Sequence, residues 1–468
     1  MKLIFIGLQV SLISLSFFAE GQKSFTAQQA VQFALANNPL IKNAKLDIDI
    51  AKSKVSETFG LGLPQISGSL TVLHYPSITD SPDPKKQNLQ KFVVENSPGS
   101  PFYIPPSRGG TDNAPDIFAL QLANSLTGTV SATQLLFNGS YLVGLKASKT
   151  YQELSLMQMK QVKIGLAEQV LKSYYAILVN QEKTKLLDLN LSRLDSTYKE
   201  TKALFKNGFI EKIDIDRIEV ALNNLRSEKQ KTERLLQLAT NVLKLQMGMQ
   251  VNEQIELVSK LDEVKPESIL PANPTIDYGQ RIEYSVLQTQ KTLVGLQLKN
   301  INAEYLPSLV GLATLGVNSA ASKFSNLGNF SEKFRYAPYG FVGISLNVPV
   351  FDGFQKKYKY QQTKYSLEKL NNGIKQQENA IDLELNQANI NLANAQTNLE
   401  IQKRNLDLAQ EVVRVSKVKY RQGVGSNLEV TNAESSLKES QNNYYTSLYD
   451  FIIAKVDLDR AQGQLVID

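Results

Sequence analysis

Four short segments of the chain alternate apolar and polar residues with a period of two, which is the pattern of a β-strand with two different faces. They form two pairs, at residues 66–72 and 126–136 in the first half of the chain and at residues 309–317 and 342–348 in the second. Turn-forming residues separate the members of each pair. The pattern therefore predicts two β-hairpins, each with a long loop at its tip.

Each predicted strand has about ten residues, a length that crosses an outer membrane when the strand is tilted. A soluble sheet with one buried face is the alternative, but no other segment of the chain is available to cover the apolar face. The alternation therefore favours strands that face lipid. Four strands cannot close a barrel, because the smallest membrane barrels have about eight. The sequence thus predicts a transmembrane β-barrel that several chains share.

Two very long helical segments follow the motifs Phe137-Asn138-Gly139 and Phe351-Asp352-Gly353. Each has about 65 residues and would extend about 100 Å at 1.5 Å per residue. In the second segment, Ile401, Leu408 and Val415 form one apolar line, and a longer line on another face has the 4,3 spacing of a coiled-coil seam. The longer line consists of Ile381, Leu385, Ala388, Leu392, Ala395, Leu399, Gln402, Leu406, Ala409, Val413, Ser416 and Tyr420. Two seams predict a helix with neighbours on both sides, as in the wall of an α-barrel, whereas a plain coiled-coil dimer needs only one.

A glycine ends each long helical segment. Asn207-Gly208 and Gln422-Gly423 supply the left-handed residue that follows a helix end. Helices of about 37 residues then return and end at Gly248 and Gly463, and residues Ser426 to Glu429 form a capping box at the start of the second. The sequence thus predicts two long antiparallel helical hairpins.

These features are duplicated along the chain. Gly208 and Gly423 lie 215 residues apart, as do the glycines that end the two return helices, and the two Phe-Asn/Asp-Gly motifs lie 214 residues apart. Pro64 and Pro307, which precede the hairpins, are separated by 243 residues, so the first hairpin loop is longer by about 29 residues. An internal repeat of this length predicts a quasi-symmetric assembly and not a single catalytic cleft.

Composition excludes several classes of function. Lys2 and the apolar run to Ala19 predict a secretion signal, with the mature chain starting at Gln22. The chain has no Cys, which excludes disulfides, thiolate metal sites and a Cys nucleophile. The single histidine, His74, is interpreted as an exposed loop residue. The net charge of +6 is spread along the chain, so nucleic-acid binding is not expected, and no catalytic, cofactor or metal site is predicted.

We expect nine segments in chain order. They are a signal peptide at 1–21, an N-terminal periplasmic helix at 22–63, a first β-hairpin with a Pro-rich extracellular loop at 64–137, a first helical hairpin at 138–248, a linker at 249–275, a short helix of the second repeat at 276–306, a second β-hairpin at 307–351, a second helical hairpin at 352–463 and a tail at 464–468.

With these motifs in this order, the chain resembles the TolC family of outer-membrane efflux and secretion channels. The motifs include Ala34-Leu35-Ala36-Asn37-Asn38-Pro39, Val348-Pro349-Val350-Phe351-Asp352-Gly353 and Tyr420-Arg421-Gln422-Gly423. The resemblance implies a non-enzymatic homotrimer in the outer membrane, with a shared 12-stranded β-barrel and an α-barrel of 12 helices across the periplasm. It also implies two further partners, a periplasmic membrane-fusion adaptor and an inner-membrane pump of the RND, ABC or MFS type.

The resemblance further implies roles for particular residues. The helix tips would contact the adaptor through Asn207, Gly208, Phe209, Gln422, Gly423 and Val424. The periplasmic aperture would be formed by Asp214, Arg217, Tyr420, Glu429 and Asn432, with Tyr420 contacting Asp214. Phe137, Gly139, Phe351 and Gly353 would mark the junction between membrane and periplasm. The chain has Gly425 where well-studied members have a latch arginine, and Asn432 where they have a second acidic ring.

Two other classes of protein were weighed against this one. A secreted coiled-coil scaffold or adhesin without a pore would account for the helices but not for alternating strands at matching positions of the repeat. An enzyme with paired carboxylates would need such a pair to stand out from the charged helix faces, and none does.

Overall fold

The computed structural model describes residues 23–75, 124–259, 261, 277–321, 324–327 and 336–465. The elements in order are β1 (Lys23–Phe25), α1 (Ala27–Asn37), α2 (Pro39–Gly60), β2 (Gln65–His74), β3 (Asn124–Phe137), α3 (Gly139–Lys206), α4 (Lys212–Met247), β4 (Ile255–Leu257), α5 (Ile282–Ala303), β5 (Ser308–Ala321), β6 (Tyr336–Asn347), α6 (Gln355–Arg421) and α7 (Asn427–Ala461). The expected signal peptide, most of the Pro-rich loop and most of the second half of the linker lie outside the described residues.

The chain forms two compact units, which are described separately. The sheet unit covers residues 50–152 and 291–369, and the helical unit covers residues 1–49, 153–290 and 370–468. No helix in the described ranges is both long enough and apolar enough to cross a membrane.

The sheet unit holds four antiparallel strands in the order β2-β3-β5-β6. Their register places apolar residues of all four strands side by side on one face. One row across the sheet reads Ile66, Ala132, Ala313 and Val342, and the next row, on the other face, reads Ser67, Ser131, Thr314 and Phe341. One face is therefore apolar and exposed, with Ile66 75% and Val342 87% accessible.

The opposite face of the sheet is mixed, since it includes Leu312 and Phe341, but it also carries small polar side chains that bond to one another across the strands. The hydroxyls of Ser69 and Thr129 are 2.6 Å apart, and those of Ser131 and Thr314 are 3.1 Å apart. The two outer strands, β2 and β6, each have one paired edge within the chain. The two hairpins expected from the period-two pattern are therefore present, as neighbours in one sheet.

The helical unit contains the predicted hairpins α3–α4 and α6–α7, with helices of 68, 36, 67 and 35 residues. The predicted seam of α6 is confirmed, since every one of its positions is buried or half-buried. The second line on α6, formed by Ile401, Leu408 and Val415, is exposed in the single chain. Among the described residues, no element covers this line, and its expected neighbour stays a prediction.

The core of the helical unit surrounds Tyr174, whose side chain is fully buried. Its hydroxyl donates to the carbonyl oxygen of Phe25 at 2.8 Å and lies 3.0 Å from the hydroxyl of Ser259. Burying an aromatic ring of this size is compatible with stability only when the polar hydroxyl is satisfied, as it is here.

Three details of the N-terminal half differ from the sequence-based expectations. The single helix expected within residues 22–63 is divided into α1 and α2 at Asn38, whose extended backbone (ψ 131°) is what a following proline favours. Residues 23–25 instead form β1, which pairs in parallel with β4 inside the expected linker. Three-residue strands are too short to show a period-two pattern.

The third difference concerns His74. It is exposed, as expected, but it ends β2 and is not a loop residue. Its Nδ1 lies 2.8 Å from Oδ1 of Asn124, the first residue of β3. The backbone ladder of the hairpin thus continues two residues past Val72, to the pair of His74 and Asn124.

Candidate functional site

The two helix tips have the same backbone geometry. Gly208 has a φ of +76° and Gly423 a φ of +75°. The amide of Phe209 donates to the carbonyl oxygen of Leu204 at 3.0 Å, and the amide of Val424 donates to that of Lys419 at 3.1 Å. These are the bonds of a helix end closed by a left-handed glycine. The tip glycines proposed from the sequence therefore do what the residue type predicts.

Each tip presents apolar side chains to solvent. Phe209 is 76% exposed and Val424, its counterpart in the repeat, is 75% exposed. Ile213 and Leu428, which are also counterparts, are each about half exposed in the first turn of the return helix. The sequence analysis missed this second pair, although an apolar residue four positions after Phe209 and Val424 in both repeats was the available signal. The two tips therefore carry matching pairs of exposed apolar side chains.

The structure brings three of the proposed aperture residues together. The pKa of Tyr420, at the end of α6, is raised by burial and then by the negative charge of Asp214, at the start of α4. Nη1 of Arg217 lies 3.7 Å from Oδ1 of Asp214, one helical turn away. Asp214 is half-buried, with Arg217 on its own helix and Tyr420 on the neighbouring hairpin within range of its charge.

Glu429 and Asn432 are exposed on α7, and within the described residues no hydrogen bond or ion pair joins either side chain to Asp214. The amide of Glu429 donates to Oγ of Ser426 at 3.2 Å, which is the Ser426 half of the predicted capping box. A carboxylate in this turn is also favoured by the positive end of the helix dipole.

A second charged group, which the sequence analysis missed, lies one turn further along α7. Glu434 is 3.7 Å from Arg193 of α3 and 2.5 Å from Lys417 of α6. Glu434 thus joins the two helices of the second hairpin to each other, and it also joins that hairpin to α3 of the first. Heptad spacing in the sequence could not identify it, because the contact depends on how two separate hairpins pack.

The two strand-to-helix junctions have the same motif but different structures. At the first, Asn138 caps the helix by accepting from the amide of Tyr141 at 2.9 Å. A methyl group at Gly139 would lie 2.9 Å from the end of the Leu306 side chain and 3.2 Å from Ala303, so the helix start packs closely there. At the second, Gly353 has a φ of +65° and open space around it.

Among the described residues, no group of three or more His, Asp or Glu side chains is placed to hold a metal ion. The polar groups of the tips and junctions cap helices, form ion pairs or face solvent. What these regions offer is surface for contact with a partner, together with a charged cluster between two helical hairpins.

The comparisons with known proteins agree with this description. The sequence model of the outer membrane efflux protein family matches residues 107–249 and 286–464, one segment in each repeat. No curated protein sequence matches the chain.

Several solved structures share the fold. The Campylobacter jejuni CmeC outer membrane channel has a TM-score of 0.72 at 15% identity, with 99% of this chain and 94% of that one covered. The outer membrane protein VceC from Vibrio cholerae has a TM-score of 0.69 at 12% identity, with 93% and 96% covered. The open state of the Neisseria gonorrhoeae MtrE outer membrane channel has a TM-score of 0.70 at 14% identity, with 94% and 90% covered. The family match covers well over half of the chain, which therefore belongs to the outer membrane efflux protein family.

Proposed function

We propose that the protein is a passive, homotrimeric exit duct of a tripartite efflux or type I secretion system. Membership of the family makes it a protein of the outer membrane and not an enzyme. The observation that supports a duct best is the two-faced sheet, with exposed aliphatic side chains on one side and bonded hydroxyls on the other. Lipid would contact the first face, and water in the pore would contact the second.

A closed barrel requires more than one copy. The unpaired edges of β2 and β6 would bond to each other between copies, because open strand edges are not tolerated in hydrocarbon. Three copies of a four-stranded sheet give the 12 strands of the expected barrel. Two exposed apolar lines in the helical unit support the same assembly. One is the second line of α6, and the other consists of Leu235, Leu238, Val242 and Leu245 on α4.

The tips would receive a periplasmic membrane-fusion adaptor that connects the duct to an inner-membrane pump of the RND, ABC or MFS type. The exposed apolar pairs Phe209/Ile213 and Val424/Leu428 supply matching contact surfaces, one on each hairpin. The pump provides the energy, and the duct opens when the adaptor draws the hairpins apart at the aperture. The charge of Asp214 on α4 acts on Tyr420 of α6 and would contribute to the closed state between the hairpins.

Single-channel conductance in planar lipid bilayers tests this proposal. The wild-type trimer should form a stable aqueous pore. Asp214→Lys and Glu429→Lys should each change its conductance and its preference for cations, because a charge at the narrowest point acts on every passing ion. Asp216→Lys is a matched control, since it makes the same charge change on an exposed residue two positions along α4, on another helix face.

Each result has a distinct meaning. A protein that forms no pore would contradict the duct. Normal pores whose conductance is the same in wild type, Asp214→Lys and Glu429→Lys would contradict the aperture while leaving the duct intact. Loss of export in cells for Phe209→Asp combined with Val424→Asp, with normal conductance of the purified trimer, would support the tips as the adaptor surface. Normal export by that variant would contradict it.

A further inference from the structure

The second strand-to-helix junction, residues 350–358, is built unlike the first, and no other described part of the chain covers it. We call these residues the junction turn. After Gly353, Phe354 also takes the left-handed region, with a φ of +64°, and it is the one non-glycine residue in the described ranges to do so. Bulky residues rarely adopt this backbone, and such strain persists at positions where function requires it.

The junction turn continues the apolar face of the sheet. Val342, Ile344 and Leu346 lie on that face by their pairing with β5. The same alternation runs on in the sequence through Val348 to Val350, which is 91% exposed. Phe351 and Phe354 follow, both exposed, with their rings packed edge to face at a centroid distance of 5.4 Å. Aromatic rings at the end of a lipid-facing row are typical of the membrane–water interface.

Two lysines of the junction turn, Lys356 and Lys357, stand over aromatic rings of the turn or of the neighbouring chain segment. Nζ of Lys357 lies 5.8 Å from the ring centre of Phe354 and 6.0 Å from that of Tyr358, and Nζ of Lys356 lies 4.9 Å from that of Tyr305. Within the part of the chain that the structure describes, neither ammonium is within 4.0 Å of an acidic side chain. The carboxylate of the turn itself, Asp352, is occupied as a cap that accepts from the amide of Lys356 at 3.0 Å.

The next lysine shows the contrast. Nζ of Lys359 is 2.9 Å from Oε1 of Glu304, so its charge is already matched. Lys356 and Lys357 therefore leave two positive charges beside exposed aromatic rings at the helical end of the lipid-facing row. Ammonium groups bind phosphate, and aromatic rings suit the boundary between headgroups and acyl chains.

We propose that the junction turn binds the headgroup of an anionic phospholipid in the periplasmic leaflet of the outer membrane, with Lys356 and Lys357 on the phosphate and Phe351 and Phe354 at the acyl boundary. The aliphatic row projects from the sheet face, whereas a second copy of the chain would pair along the strand edge in the plane of the sheet. Lipid is therefore the occupant that fits the direction of this surface. The inference rests on the membrane-inserted sheet of the proposed duct.

The sequence contains no Trp, so the fluorescence of a single introduced Trp is measured without a contribution from other tryptophans. The assembled trimer would be reconstituted in vesicles of phosphatidylcholine with 20 mol% of either brominated phosphatidylglycerol or brominated phosphatidylcholine. Three variants carry the probe: Phe354→Trp in the junction turn, Ile344→Trp on the lipid-facing row and Phe209→Trp at a helix tip. Tyr358→Trp is a second junction probe for the case in which Phe354→Trp assembles poorly.

The fluorescence of both junction probes should be quenched at least about twofold more strongly by brominated phosphatidylglycerol than by brominated phosphatidylcholine, because two lysines attract anionic lipid. Lys356→Gln with Lys357→Gln should abolish this preference, and Lys359→Gln should keep it. Ile344→Trp should be quenched equally by both lipids, and Phe209→Trp by neither.

Three results would overturn the inference. Unquenched junction probes beside a quenched Ile344→Trp would mean that protein, such as a second copy, covers the turn. If both lipids quench the junction probes equally while Lys356 and Lys357 are intact, the aromatic turn lies at the membrane interface but has no site for an anionic headgroup. Failure of Ile344→Trp itself to be quenched would contradict the membrane-embedded sheet of the proposed function, and the inference with it.

Discussion

Gly208 and Gly248 adopt nearly the same left-handed backbone, with φ values of +76° and +74°, but they have different surroundings. A methyl group at Gly208 would meet nothing within 4 Å, whereas one at Gly248 would lie 2.8 Å from the carbonyl oxygen of Asn37. From residue type alone, both glycines are predicted to end a helix in the same way. Only the structure separates a glycine required by its φ alone from one required by φ and by a close approach of two backbones.

Substituting these two glycines by alanine should therefore have unequal effects on stability. Gly208→Ala should destabilise the chain by about 1 kcal/mol, the usual cost of a left-handed non-glycine residue. Gly248→Ala should cost about 2 to 3 kcal/mol more, because α1 must also move away from the end of α4. The midpoint of denaturation of the two variants in one detergent would measure the difference. Equal shifts would show that the backbone contact at Asn37 can relax freely.

Asp459 links stability to pH. Burial raises the pKa of its carboxyl group above the ordinary value, against the opposing charge of Lys455. A raised pKa in the folded state means that ionisation disfavours folding, so the penalty is absent at low pH and appears as the pH rises through the folded-state pKa. Asp459→Asn should consequently raise the thermal midpoint at pH 7, and the gain should shrink to nothing near pH 3. A gain of the same size at both values would contradict the assignment, with Asp457→Asn as the comparison on the same helix.

Among the elements, the ends of the two return helices show how the repeat is conserved in geometry but not in chemistry. Asn38 donates from its side-chain amide to the carbonyl oxygen of Gln246 at 2.6 Å. Arg281, which lies 243 residues later, donates from its guanidinium to the carbonyl oxygen of Ala461 at 2.8 Å. Both side chains satisfy a carbonyl in the last turn of a helix, which has no partner within that helix.

Arg281 has the larger role of the two because it also bonds to Glu384 at 2.7 Å and to Glu283 at 3.3 Å while remaining buried. Burial alone would lower the pKa of its guanidinium, but the hydrogen bond and charge of Glu384, with the charge of Glu283, raise it. The arginine therefore joins α5, α6 and α7 through one fully ionised side chain.

Arg281→Met should destabilise the protein by about 3 kcal/mol, since it leaves two carboxylates and a helix-end carbonyl without their donor. Arg281→Lys should recover only part of this loss, because an ammonium cannot reach three acceptors in the geometry of a guanidinium. Arg414→Met is the matched control: Arg414 pairs with Glu411 in an exposed position on α6, so its loss should have a much smaller effect on stability. Denaturation midpoints of the three variants would decide, and a similar cost for Arg281→Met and Arg414→Met would refute this account.

The sequence predicted the long elements well because each repeats a simple period many times. The seam of α6, and the residues that share a face in each of the four strands, were predicted from spacing alone. The tip glycines were predicted from residue type. The β1–β4 pair and Glu434 were not predicted, since one is three residues long and the other depends on packing between hairpins. The junctions also could not be distinguished, because Phe-Asn-Gly and Phe-Asp-Gly read alike while only the second is followed by a left-handed Phe354.

At the scale of the whole molecule, two apolar lines of the helical unit are exposed among the residues that the structure describes. The α4 line consists of Leu235, Leu238, Val242 and Leu245, whose 3,4,3 spacing keeps them on one side of the helix. The α6 line consists of Ile401, Leu408 and Val415. Neighbouring surface on another copy would cover both lines, and this is the arrangement of a closed ring, where each copy contributes two different edges.

The joint substitution Leu238→Gln and Leu245→Gln should therefore prevent trimer formation while leaving the chain folded. Burying one leucine contributes about 2 kcal/mol, and a ring of three copies loses this at both positions of every interface. Circular dichroism should show an unchanged helix content, because the two side chains are already exposed within the single chain. Light scattering of the detergent complexes should show monomers. Gln237→Ala, an exposed change beside Leu238 but off the apolar line, should remain trimeric. Intact trimers of the double variant would mean that the copies meet along other surfaces, and loss of helix content would mean that the α4 line stabilises the chain itself.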